Sequence, residues 1–202
     1  MWLRLSVSAG LCVLLAAAVP LAGQDLTQRE ADSMTAKLSA ILQRGTNPPV
    51  KTAPAQRTSF TDREVNSFFK FNGASFLPTG VVDPLVAIND GGRVRMRAIA
   101  DLDAVRTSQP RGWLDPATYL LHGSLEVTAV GVVAAANGKG TLVLENATLG
   151  GVSIPKSLLQ TLVSYYTKTP EMPDGFNLDK PFDLPSNIRA VEMKRGSATI
   201  VQ

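Results

Sequence analysis

The sequence predicts an α+β fold: a long, curved antiparallel sheet wrapped around an amphipathic helix, with a further helix tethered ahead of it. Three observations carry this. Apolar residues alternate over Arg93–Ala104, interrupted only by Ile99, and again over Tyr119–Ala136, the period of strands with one buried and one wet face. Asn-Asp-Gly-Gly at 89–92 and Asn-Gly-Lys-Gly at 137–140 supply the positive-φ residues of hairpin turns. Ile154, Leu158, Leu159, Leu162, Val163 and Tyr166 form one wide apolar stripe at helical spacing.

The elements follow in order. Residues 1–23 read as a secretory signal: Arg4, an uncharged run from Leu5 to Ala18, then Pro20, Ala22 and Gly23. The run is shorter than the roughly 20 apolar residues of a membrane span. Gln24 stands where a lipoprotein would carry its acylated cysteine. The mature chain is therefore expected to begin near Gln24, soluble in the periplasm or secreted, with no transmembrane span. Residues 24–44 read as a helix, with Thr27 and Glu30 as a capping box and Ala31, Met34, Leu38, Ile41 and Leu42 on one side. Residues 45–57 carry Pro48, Pro49 and Pro54 and read as an extended linker, which predicts a loosely held first helix. The principal domain is expected over 58–202.

That domain opens with a second capping box, Thr61-Asp62-Arg63-Glu64, on a short helix from Asp62 to Phe71 stopped by Asn72-Gly73. Val81–Ile88 reads as a strand that Pro84 confines to an edge or bulge. Arg93–Ala104, Tyr119–Ala136 and Thr141–Leu149 follow as strands longer than the usual five or six residues, which suggests a curved sheet. Pro155 opens the gripped helix. Ile188–Met193 and Ser197–Val201 close the chain as a hairpin.

Composition excludes several functions. The chain of 202 residues has one cysteine, Cys12, and one histidine, His122. Disulfides, thiolate metal sites and multi-histidine zinc centres are thereby excluded from the mature chain. A net charge of +3 is too small to argue for nucleic acid. His122, Ser124 and Glu126 have the types of a hydrolase triad, but alternate residues of one strand stand about 6.6–7 Å apart, beyond hydrogen-bond reach. Asp101 and Asp103 read as ion-pair partners, and Arg93, Arg95 and Arg97 as a wet face that could meet anionic lipid. Five of the seven phenylalanines lie between Phe60 and Phe76, as core or as an apolar mouth. No catalytic residue, cofactor or metal is expected.

The helix start Thr61-Asp62-Arg63-Glu64-Val65-Asn66, the run Ile154-Pro155-Lys156-Ser157-Leu158-Leu159 and Leu184-Pro185-Ser186-Asn187-Ile188 resemble those of small bacterial envelope proteins of tubular-lipid-binding (TULIP-like), helix-grip architecture. The resemblance covers about Phe60 to Val201. It implies non-catalytic binding of a lipid or other apolar molecule, with Val65, Phe68, Phe69, Leu158, Leu162 and Tyr166 expected to line the site. The alternative is an envelope assembly or structural factor with a filled core and a surface for a protein partner.

Overall fold

The computed structural model describes residues 25–46, 54–108, 122–168, 170 and 172–202. The expected signal segment, the middle of the linker, residues 119–121 and the Tyr166 side chain lie outside the described residues. The fold is α+β, with four α-helices and one nine-stranded open antiparallel sheet among those residues.

Helix α1 (Gln28–Gly45) precedes strand β1 (Arg57–Thr61) and helix α2 (Asp62–Phe71). The hairpin of β2 (Val81–Ile88) and β3 (Arg93–Asp101) leads to the short helix α3 (Leu102–Ser108). Strands β4 (Ser124–Ala136) and β5 (Lys139–Leu149) form the longest hairpin. Then come β6 (Val152–Ser153), α4 (Lys156–Tyr166), β7 (Phe182–Asp183), β8 (Ala190–Lys194) and β9 (Ser197–Val201). The main strand order is β1-β9-β8-β4-β3-β2. Strand β4 is shared: β3 pairs with residues 124–132, and β8 meets the same strand at Ala135. Its other side carries β5, with a bulge between Val130 and Gly131.

Local chemistry explains most element boundaries. Asn137 and Gly138 both adopt positive φ, 52° and 74°, as the two-residue β4–β5 turn requires. Pro84 sits in a register shift between Val82 and Leu85, on the strand that ends the sheet, where a missing N–H is tolerated. Strand β3 stops earlier than alternation predicts. Asp101 Oδ1 accepts the N–H groups of Asp103 and Ala104, so the side chain caps a helix turn at the point where the apolar alternation would continue.

Helix α1 is not loosely held. It packs along α2 and buries Ala31, Met34 and Ile41. The expected capping box at its start is half formed: Thr27 Oγ1 accepts Glu30 N–H, but Thr27 N–H donates to Ser67 of α2. The fold is the expected α+β with an open antiparallel sheet, and the expected grip of that sheet on α4 is not confirmed. Among the described residues α4 makes no extended contact with another helix or strand, and Leu158 is 50% exposed. Its polar anchors go instead to the returning segment: Gln160 Nε2 donates to Phe176 O, Leu178 N–H donates to Gln160 Oε1, and Lys156 pairs with Asp179.

Candidate functional site

The residues of the helix-start motif are bolts. Thr61 and Glu64 form a full capping box on α2. Glu64 also holds Lys37 of α1 at 2.5 Å and accepts the Ser33 hydroxyl at 2.7 Å. Burial pushes the Glu64 carboxyl upward, but Lys37, Ser33 and the Thr61 N–H outweigh it and leave it below its ordinary value. Arg63 binds Glu30 at 2.8 Å and lowers that carboxyl too. Ser67, fully buried, accepts Thr27 N–H and donates to Glu30. Asn66 performs a different task. Its amide donates to Val86 O at 3.0 Å and accepts Val86 N–H at 2.7 Å, completing the outer edge of β2 as a neighbouring strand would.

Beside this clamp lies a half-open cleft of about 750 Å³, within the size range of small-ligand sites. One wall is α2, through Asn66, Phe69 and Lys70. The opposite wall is the turn Leu77–Gly80, and the floor is the bulged part of β2 with Ala98 and Ile99 of β3. The turn is pinned: Val81 N–H donates to Pro78 O, and Asp101 N–H to Gly80 O. Gly80 has φ +84°, and a side chain there would strike Val105 and the Asp101 carbonyl, so this wall needs glycine. Asp83 at the bulge takes φ +50°.

The phenylalanines divide between the two expected roles. Phe68 is 7% exposed and stacks edge-on against Phe69 at 5.7 Å. Phe69 lines the cleft. Phe71 and Phe76, next in sequence to the lining residues Lys70 and Leu77, are 42% and 73% exposed. The Lys70 ammonium lies 5.4 Å from the Phe71 ring centre, within cation–π range.

The structure does not bring the expected site residues together. Val65, Phe68 and Phe69 share α2, but only Phe69 lines the cleft. Leu158 and Leu162 lie on α4, apart from it. The cleft residues Leu77–Leu85 were not singled out as a site by the sequence; the Pro78-Thr79-Gly80 turn and the Asp83-Pro84 bulge are the signals that could have drawn attention to them. On the wet sheet face, Arg97 pairs with Glu126 at 2.5 Å and Arg93 with Glu145 at 2.6 Å. Glu126 is thereby committed to an arginine. No group of three or more histidine, cysteine, aspartate or glutamate side chains is placed to hold a metal ion among the described residues. No helix among them is long and apolar enough to cross a membrane.

In comparisons with protein-family models, curated proteins and solved structures, nothing matches this chain. The tubular-lipid-binding resemblance rests on the sequence motifs.

Proposed function

We propose that this protein is a non-catalytic, exported binder of an amphipathic apolar molecule, a lipid in class, and that the cleft between α2 and β2 is its seat. The observation supporting this reading is the cleft itself. Phe69, Leu77, Val81 and Ile99 offer apolar surface, while Lys70 brings a cation and Asp83 an anion to the lining. An acyl chain laid there gains about 0.8 kcal/mol for each methylene removed from water. Lys70 suits a carboxylate or phosphate at the chain's end. The seat needs no closure of the sheet around α4.

The test uses the full chain and 11-(dansylamino)undecanoic acid, a fluorescent fatty-acid analogue. The probe is expected to bind with micromolar affinity. Val81→Trp, which fills the cleft, is expected to weaken binding by about tenfold or more, while Leu162→Trp on α4 leaves it within about twofold. Mass spectrometry of organic extracts of the purified protein identifies the natural occupant. Absence of probe binding would sink the reading, and sensitivity to Leu162→Trp alone would move the seat to α4.

A further inference from the structure

The outer side of β5 is an interrupted column. β7 pairs with Lys139 and Gly140 at one end, and β6 with Thr148 and Leu149 at the other. Ile154 N–H adds a bond to Ala147 O. Between them, over residues 141–146, no backbone hydrogen bond from a described residue reaches the outer edge, and the one side-chain bond, from the Ser153 hydroxyl to Asn146 Oδ1, lies at the β6 end. The two-residue turn fixes which groups point outward. Ala136 and Lys139 flank it as partners, followed by Ala134↔Thr141 and Val132↔Val143, so residues 139, 141 and 143 bond inward to β4. Gly138 and Gly140 bond outward, the first by accepting Leu184 N–H. Leu142 and Leu144 continue the outward set, presenting two N–H and two C=O groups to a column that no described residue fills. Between them Val143 is 61% exposed.

We propose that this gap is a strand-addition site for a short extended segment of a partner protein, about five residues long, antiparallel to β5 and carrying an aliphatic side chain opposite Val143. Open backbone donors and acceptors at strand spacing are met most fully by another backbone. The gap sets the length: β5 of a second copy, 11 residues, is too long to enter between β6 and β7. The flanking strands set the direction, since both run antiparallel to β5. The side chain opposite Val143 lies in a close, non-hydrogen-bonded position on the outer side, where an aliphatic group covers the exposed valine.

The test is amide hydrogen exchange by NMR on the full chain, with the probe acetyl-Val-Thr-Val-Thr-Val-amide. In the free protein the Leu142 and Leu144 amides are expected to exchange freely and the Val143 amide slowly. Probe binding is expected to slow Leu142 and Leu144 by about tenfold or more. N-methylation of the two threonines, whose N–H groups face β5, abolishes binding; N-methylation of the central valine leaves it within about twofold. Val143→Lys weakens binding by about tenfold with the fold intact, as edge lysines do. The proposal is overturned if the Leu142 and Leu144 amides are already protected, if the peptide fails to bind, or if both N-methylated peptides bind alike. Protection that rises with protein concentration alone would assign the edge to a second copy and likewise overturn it. None of these readouts involves the α2–β2 cleft.

Discussion

Strands β2 and β5 both present an outer edge, and the chain finishes the two differently. At β2 three devices close the edge: the Asn66 amide pairs with both backbone groups of Val86, Gly196 N–H donates to Ile88 O at 2.8 Å, and Pro84 has no N–H to leave unpaired. At β5 the outward groups of Leu142 and Leu144 meet nothing comparable among the described residues, and the segment Thr141-Leu142-Val143-Leu144 carries no charge. An exposed aliphatic edge is what folded proteins ordinarily cover, charge or shorten. Strand β1 shows the ordinary solution, being five residues long and polar at Arg57, Ser59 and Thr61. The lesson is that edge closure is built by particular side chains. It can therefore be removed at β2, or extended to β5, by single substitutions.

The largest effect is expected from the support of the closed edge. Phe68→Ala, beneath α2, should cost about 3–5 kcal/mol by denaturant unfolding, through lost burial and a cavity. Asn66→Ala comes next, at about 2–3 kcal/mol, since it orphans both Val86 groups. It should also raise self-association, measured by sedimentation, by giving β2 the open edge that β5 has. An unchanged Asn66→Ala variant would break the comparison.

The clamp that seats α2 has a pH signature. Glu64 and Glu30 are lowered below their ordinary values, as is Asp32, chiefly by the Gln28 amide and then Asn72. A carboxyl whose folded pKa is depressed stabilises the fold above its unfolded value, about 4.3 for glutamate, and loses that contribution as pH falls through the lower folded value. Glu64→Gln keeps a capping-box residue but removes the charge facing Lys37. It should cost about 1 kcal/mol at pH 7, and the gap to wild type should close as pH falls below the ordinary carboxylate range and through the lowered value of Glu64. A pH-independent gap would mean that the ion pair with Lys37 contributes nothing.

The smallest effects should fall on the open side. Val143→Thr should stay within about 0.5 kcal/mol of wild type, and Leu158→Ala on the exposed side of α4 within about 1 kcal/mol. A cost of about 2–5 kcal/mol at Leu158 would instead mean that α4 is buried as the helix-grip expectation requires.

What the sequence alone determined is local and short in range. The full capping box at Thr61 and Glu64, the stop at Asn72-Gly73, the Asn137-Gly138 turn, the edge placement of Pro84 and the last strand at Ser197–Val201 all appear where the residue types require them, because each depends on φ, a missing N–H or a side chain reaching three residues along the chain. Alternation found β3, β4 and β5 but overran the end of β3, since Leu102 and Ala104 serve a helix as well as a strand and Asp101 decides between them, and the start of β4, which begins only at Ser124; β1, β6 and β7, five, two and two residues long, are too short to be read from it. Tertiary structure alone decided what the faces meet. The stripe on α4 is amphipathic in the sequence whether or not a sheet closes over it. The motif on α2 reads as a helix start whether its side chains bind ligand or bind α1. Asn66 carries no sequence sign that it completes a strand edge, because Val86, its partner, is distant along the chain and is brought there only by packing. Burial and pairing between distant segments depend on the arrangement of the whole chain, and a period or a cap specifies only the surface each segment brings to it.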